Sequence, residues 1–172
     1  MPNWVENLLV IEKVTPKRLE EIQFQISGQR GEETIEGDSK NARERPVDFN
    51  RITPMPPESD PNSEEMHYWR NLNWGTKWNS ILCTRISPNN FFFLTAWDPP
   101  YEIIYKLGRL FPDATFKMSF SSESNFAGIL KVTGFYIELE DSNELGDQYD
   151  LLRDTLRKLK HKLMKEQNIN YY

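Results

Sequence analysis

The sequence predicts an α+β fold in which helices cover one face of an antiparallel sheet. Three observations lead to this prediction. Apolar residues alternate with polar ones in several segments, as in strands with one buried face. Helix-start and helix-end signals separate some of these segments. A chain of 172 residues, 38% of them hydrophobic and 13% aromatic, is also long enough to bury one sizeable core.

The first predicted elements are a central strand and a short helix. Residues 4–12 are rich in Val, Leu and Ile on both faces, which is typical of a strand with a neighbour on each side. Thr15 is a suitable helix N-cap before Pro16, and Gly28 follows the last residue of the apolar stripe. These signals predict a helix that starts at Pro16 and ends before Gly28.

A long loop, a short strand and a helical insertion are predicted next. Residues 29–47 contain almost no apolar side chain and predict a long mobile loop. Residues 48–52 alternate polar and apolar side chains and predict a short strand, which the prolines from Pro54 onwards end. The helical insertion spans residues 57–80, with acidic side chains at the start of its helix and Gly75 at the end.

The second half of the chain predicts the order β-α-β-β-β. The aromatic run at 91–97 favours a strand, and Pro99 and Pro100 open a helix with one apolar stripe. Apolar patterns predict three further strands, at 116–120, 126–132 and 135–139. Together with the first strand and helix, this order predicts a ferredoxin-like α+β fold with a helical insertion.

The C-terminal segment is predicted to be a basic amphipathic helix, so the α+β domain spans residues 1–147 and the helix spans 148–172. Two heptads are too few to define a coiled coil, so the helix either packs on its own domain or joins two copies into a dimer. Contact of its basic face with an acidic surface is a third alternative. The apolar stripe consists of Leu152, Leu156, Leu159 and Leu163.

Charge differs between these two parts. Residues 1–147 carry 15 basic and 23 acidic side chains, a net charge of −8, whereas residues 148–172 carry 6 and 3, a net charge of +3. An acidic body repels a phosphate backbone, which argues against a general nucleic-acid binder and is compatible with a basic protein partner. A net charge of this size also favours solubility, so charge alone identifies no partner.

No metal ion and no cofactor is expected. Cys83 is the single cysteine and is predicted to be a buried small hydrophobe. His67 and His161 fall on different predicted helices without metal-ligand spacing, and no phosphate-binding glycine loop is present. Asp98 and Glu123 would meet near one end of the sheet, but nothing in the sequence assigns them a catalytic role.

The chain contains no predicted membrane segment. Its N-terminus lacks the cluster of positive charges of a signal peptide, and no apolar run approaches about 18 residues. A cytoplasmic location is therefore expected.

A tryptophan cluster is the most distinctive feature of the sequence. Three of the five tryptophans lie between residues 69 and 78, and Trp97 follows in a second motif. One interpretation is a recognition patch, since tryptophan is enriched among the residues that dominate binding. The candidate partner-binding residues are Asn73, Trp74, Thr76, Lys77, Trp78, Trp97 and Asp98. The other interpretation is a core wall, which we favour because tryptophan is highly buried on average.

Four segments in a fixed order resemble the YubB-like family with a ferredoxin-like domain: residues 1–7, 48–56, 73–78 and 95–100. The resemblance covers about residues 1–135 and leaves out the C-terminal helix. It implies a ferredoxin-like fold carried by phages, plasmids and other mobile elements, without an enzymatic activity that can be transferred. Residues 121–125 differ from the Tyr- and Gly-containing turn that is usual in the family. Motif positions with an expected structural role are Asn3, Trp4, Pro54, Gly75, Thr95, Pro99, Pro100 and Gly128.

These observations favour a non-enzymatic protein-binding accessory protein of phage or mobile-element type. Its expected partner is a protein of the host or of a competing mobile element, and inhibition of a host defence system such as a CRISPR nuclease is the expected role. One alternative is a ferredoxin-like module that binds single-stranded nucleic acid or a nucleotide, although the glycine–aromatic signature of such modules is missing. The other alternative is an enzyme of unknown reaction. The oligomeric state is expected to be a monomer, or a dimer through the leucine stripe.

Overall fold

The computed structural model describes residues 2–29 and 44–169, and its main element is a six-stranded antiparallel sheet. The elements in chain order are β1 (Trp4–Glu12), α1 (Pro16–Ile26), β2 (Gly28–Gln29), β3 (Glu44–Arg45), α2 (Phe49–Ile52), α3 (Glu64–Trp74), β4 (Ile81–Ser87), β5 (Asn90–Ala96), α4 (Tyr101–Leu110), β6 (Thr115–Ser122), β7 (Ala127–Thr133), β8 (Tyr136–Asp141), α5 (Ser142–Leu145) and α6 (Gln148–Glu166). The long elements follow the predicted order except for β4, which the sequence does not predict.

The sheet has the strand order β4-β5-β1-β6-β7-β8. Strand β1 pairs with β5 on one side and with β6 on the other, which confirms its predicted central position. The chain reaches β4 from β1 through α1 and the insertion, and it reaches β6 from β5 through α4. Each connection passes over one strand, which is the split β-α-β arrangement of a ferredoxin-like fold. Strands β7 and β8 extend the sheet beyond β6 as a meander.

The main core lies between one face of the sheet and helices α1 to α4. Phe91 and Phe93 of β5 point into this core, where Leu107 of α4 also lies. Helix α4 approaches the sheet closely because Gly108 has no side chain: a Cβ there would lie 2.4 Å from Cγ1 of Val132. Most of the predicted apolar stripe of α4 faces the sheet, whereas Leu110 at its end is 46% exposed.

The C-terminal helix α6 packs on the opposite face of the sheet. Successive strand side chains point to opposite faces, and Phe92 and Leu94 of β5 form a second cluster with Leu163 of α6. Nζ of Lys160 lies 2.7 Å from Oε1 of Glu6 in β1, and these side chains are 13% and 5% exposed. Of the three alternatives for this helix, the structure shows packing on its own domain.

The leucine stripe of α6 is turned towards the sheet. Leu156 and Leu163 are buried, and Leu152 and Leu159 are half-buried. A dimer through these four side chains would require α6 to leave the sheet.

The predicted strand at residues 48–52 is wrong, because Phe49–Ile52 forms the short helix α2. The Asp48 side chain caps this helix by accepting a hydrogen bond from the backbone N–H of Asn50 at 2.9 Å. The two buried apolar residues, Phe49 and Ile52, are three positions apart, which is helix spacing. The alternation thus arose from a polar cap beside a helical turn.

The predicted loop at 29–47 is bounded by the two-stranded pair β2–β3, in which Gly28 pairs with Arg45. Residues 30–43 of that loop lie outside the described residues, and Val47 at its end is buried. Strand β4 forms one edge of the large sheet. The sequence predicts only the burial of Cys83 in this segment, and Cys83 is buried.

In the ranges 2–29 and 44–169, no helix combines the length and apolar character needed to cross a membrane.

Candidate functional site

Trp74 belongs to the main core. The residue is 1% exposed, and its indole N–H donates to the carbonyl oxygen of Thr53 at 2.8 Å. Its ring makes edge contacts with Phe49 and Trp69, at centroid distances of 5.9 and 5.8 Å. The structure therefore corrects the assignment of Trp74 as a partner anchor, because its ring presents no surface to a partner.

Three more of the candidate partner-binding residues also have internal contacts. Thr76 is buried and donates a hydrogen bond to the last carbonyl of β5 at 2.8 Å. Asn73 donates to a carbonyl of α3 at 2.8 Å. Trp78 packs against Trp4 at a centroid distance of 6.2 Å, in the second cluster beside α6. These positions support the core interpretation for this part of the cluster.

Trp97 is the most exposed of the five tryptophans, with 49% of its surface accessible. It directly follows β5, and its φ of 73° lies in the left-handed region that a bulky residue seldom adopts. The Trp97 N–H donates to the carbonyl of Asn3 at 2.8 Å. The Thr95 hydroxyl donates to the carbonyl of Asp98 at 2.8 Å. These two hydrogen bonds order the turn, so the backbone that carries the exposed indole is fixed.

A surface pocket of about 510 Å³ lies beside Trp97. It is formed where the end of α3 meets the turn after β5. The lining residues are His67, Asn71, Gly75, Lys77, Trp97 and Asp98. We call this surface the Trp97 pocket.

The Trp97 pocket brings together three of the predicted partner-binding residues: Lys77, Trp97 and Asp98. Sequence reasoning missed His67 and Asn71 as lining residues. A signal was present, because residues 67, 71 and 75 are spaced by four and therefore share one face of α3 and its C-cap.

The pocket carries one cation and one carboxylate at neutral pH. Burial, and then the positive charges of Arg70 and Lys77, hold the pKa of His67 below its usual value of 6.5, against the opposing effect of Glu64. His67 is therefore neutral at pH 7, which leaves Lys77 and Asp98 as the charged groups of the lining. A few neutral and charged polar groups around an exposed indole are compatible with contact to another protein.

Metal binding has no support in the part of the chain that the structure describes, where no group of three His, Cys, Asp or Glu side chains could hold an ion. The carboxylates of Asp98 and Glu123 also have different surroundings. Asp98 lines the Trp97 pocket, whereas Glu123 lies 3.4 Å from Nζ of Lys160 in α6.

Gly75 lines this pocket, and its replacement tests how closely the end of α3 approaches the start of α4. It is the C-cap of α3 with φ 79°, and a Cβ there would lie 3.1 Å from the backbone nitrogen of Tyr101. We expect Gly75→Ala to lower the free energy of unfolding by about 1–2 kcal/mol, measured by urea denaturation. Gly134→Ala is the control, because Gly134 has φ 59° but its nearest neighbour would be 3.8 Å away. Equal losses in both variants would show that the close approach to Tyr101 is unimportant.

The sheet order and the split β-α-β core define a ferredoxin-like α+β protein, as predicted. Residues 73–151 match the family model described as "Ferredoxin-like domain in Api92-like protein". The matched segment includes Lys77, Trp97 and Asp98, whereas His67 and Asn71 precede it. Comparisons with curated proteins and with solved structures found no match. The resemblance to the YubB-like family stays a prediction.

Proposed function

We propose that this protein is a non-enzymatic protein-binding accessory protein whose contact site is the Trp97 pocket. The observation that carries this proposal is the exposed indole of Trp97 on a hydrogen-bonded turn. Tryptophan contributes a large contact area, and anchors of this kind dominate many protein interfaces. A turn that is already ordered loses little conformational entropy on binding. Asn71, Lys77 and Asp98 supply polar contacts around this anchor.

The partner in this proposal is a protein with a basic surface, from the host or from a competing mobile element. The net charge of −8 over residues 1–147 supports this, because opposite charges accelerate encounter and reject acidic partners. An acidic surface can also compete with nucleic acid for the basic channel of a nuclease. The proposed role is therefore inhibition of a host defence system such as a CRISPR nuclease, in the cytoplasm. Its phage or mobile-element context rests on the resemblance carried by residues 1–7, 48–56, 73–78 and 95–100.

The nucleic-acid alternative loses support from the position of α6. Ferredoxin-like modules of that class stack bases on aromatic side chains exposed on the sheet. Here Phe92 is buried in the cluster that the sheet forms with α6, and the ion pair between Lys160 and Glu6 lies on the same face. A stacking surface would have to form after α6 had moved away. An enzyme of unknown reaction stays the remaining hypothesis.

Trp97→Ala tests the proposed function. We expect a stoichiometric protein partner to be captured from host lysate by the intact protein and lost by this variant, with affinity reduced by about 30-fold or more. Phe24→Ala is the matched control, since Phe24 is an exposed aromatic residue on α1 and does not line the pocket. Circular dichroism checks that both variants are folded.

Two results would contradict the proposal. The first is capture of the same partner by Trp97→Ala with unchanged affinity. The second is recovery of nucleic acid in place of a protein, with binding that falls steeply as salt is raised.

A further inference from the structure

Strand β8 is a free edge of the sheet, and three strands separate it from β5 and the Trp97 pocket. Within the described residues it pairs with β7 alone, through six consecutive pairs from Gly128↔Asp141 to Thr133↔Tyr136. The outer side of an edge strand presents backbone N–H and C=O groups to which another strand can pair. Proteins commonly block such an edge with charged side chains, proline or a bulge. In β8 there is no proline and no bulge, and the charged side chains are all acidic.

One face of β8 is apolar and uncovered. Ile137 and Leu139 are 47% and 44% exposed. They lie opposite Val132 and Leu130 of β7, which belong to the main core. Directly paired residues share a face of the sheet. Ile137 and Leu139 therefore continue the core surface beyond the helix layer.

The other face of β8 is acidic. Glu138 and Glu140 alternate with the two apolar residues. Lys131 of β7 pairs with Glu138 and is the basic side chain next to this face, and between Lys131 and Arg153 the sequence contains six acidic side chains and no basic one. Glu140 also lines a pocket of about 330 Å³ beside the strand, together with Glu144, and long basic side chains fit this lining.

These charges argue against a second copy of the chain as the occupant. Antiparallel pairing of two β8 strands centred on Glu138 would place the two Glu138 side chains opposite each other. Pairing centred on Leu139 would place Glu138 opposite Glu140. Like charges that are directly opposed in a sheet are destabilising.

We propose that the edge of β8 binds an extended partner segment as a seventh strand, and that this segment alternates basic with β-branched apolar side chains. The basic side chains face Glu138 and Glu140, and the apolar side chains cover Ile137 and Leu139. Backbone hydrogen bonds supply affinity, and the two rows of side chains select the sequence. This surface is separate from the Trp97 pocket, so the inference goes beyond the proposed function.

A titration with synthetic peptides tests this inference. The probe is a fluorescent peptide of alternating Lys and Val, measured by anisotropy, with amide NMR shifts of β8 as the second readout. We expect Ile137→Thr with Leu139→Thr to weaken binding about tenfold, since threonine keeps strand propensity but removes apolar contact. Glu138→Gln with Glu140→Gln is expected to weaken it severalfold at low salt and less at high salt. A peptide N-methylated at alternate residues should not bind, because it cannot complete the ladder.

Two matched controls show whether a loss of peptide binding arises at β8. Trp97→Ala should bind the peptide normally, so failure at β8 and failure of the proposed function are distinguishable. The glutamine variant changes no buried packing, so it keeps the test valid if the threonine variant is less stable.

Three results would overturn the inference. No binding of the Lys–Val peptide is the first, and equal binding of a Glu–Val peptide is the second. The third is a dimer, detected by light scattering, that dissociates when Ile137 and Leu139 are replaced by threonine, because a second copy would then be the occupant.

Discussion

Trp74→Ala is expected to lower the free energy of unfolding by about 3–5 kcal/mol, the usual cost of truncating a buried aromatic side chain. The ring is 1% exposed, and its edge contacts with Phe49 and Trp69 would be replaced by a cavity. The carbonyl of Thr53 would also lose the indole N–H that it accepts at 2.8 Å. Urea denaturation followed by circular dichroism measures this loss.

Trp97→Ala is the control for this experiment, because it removes an exposed ring of the same type. We expect its free energy of unfolding to change by less than about 1 kcal/mol. The two variants are therefore expected to separate stability from binding: Trp74→Ala should reduce stability, whereas Trp97→Ala should reduce the proposed partner capture. A stable, folded Trp74→Ala variant that loses the partner would instead restore the recognition role of Trp74.

The sequence predicted that the tryptophans form a cluster but could not assign each ring to core or surface. Trp74 is the last residue of α3, and its direction follows from the helix phase. Trp97 is one residue past β5, and its direction follows from a positive φ that alternation does not predict. Both residues are tryptophan, so residue type does not explain why one ring is buried and the other exposed. The backbone conformation determines this, and at Trp97 it depends on a hydrogen bond to the distant residue Asn3.

Strand and helix bounds were predicted best where a periodic pattern and a local signal agree. The bounds of β1 agree with the prediction, and α1 begins at Pro16 behind its Thr15 cap. The strand prediction at residues 48–52 was wrong because five residues are too few to distinguish strand alternation from one capped helical turn. The alternation predicts one buried face for β8, yet the strand is largely exposed, since the layer of helices α1 to α4 ends over β7.

The sequence alone could not predict where α6 packs, for another reason. A stripe of leucines is satisfied equally by a sheet of the same chain or by a second copy of the helix. The structure shows that Lys160 of α6 pairs with Glu6 of β1, which places the helix on its own sheet. These residues are 154 positions apart, so the sequence does not predict the pair. We expect the pair also to favour a single register of α6 on the sheet, because apolar contacts alone tolerate sliding.

Lys160→Met is expected to lower the free energy of unfolding by about 3 kcal/mol, because it leaves the carboxylate of Glu6 without its cation in a nearly buried position. Glu6→Gln combined with Lys160→Met should recover most of this loss, since the nearly buried carboxylate is then neutral and only the half-exposed Glu123 has lost its cation. Lys162→Met is the matched control: Lys162 is also on α6 but is solvent-exposed, with Glu166 at 3.9 Å, so its replacement should leave stability unchanged.

Hydrogen exchange of β1 and β6 amides then reports whether α6 still covers the sheet. Faster exchange of these amides in Lys160→Met, with normal exchange in the double variant, would show that the ion pair holds α6 in place. The sheet face on which bases would stack is then covered in the intact protein. If the single variant is as stable as the intact protein, the leucines alone hold the helix. An intact protein that binds oligonucleotides, and does so more tightly after Lys160→Met, would contradict the protein-binding proposal, because the covered face would then be the functional one.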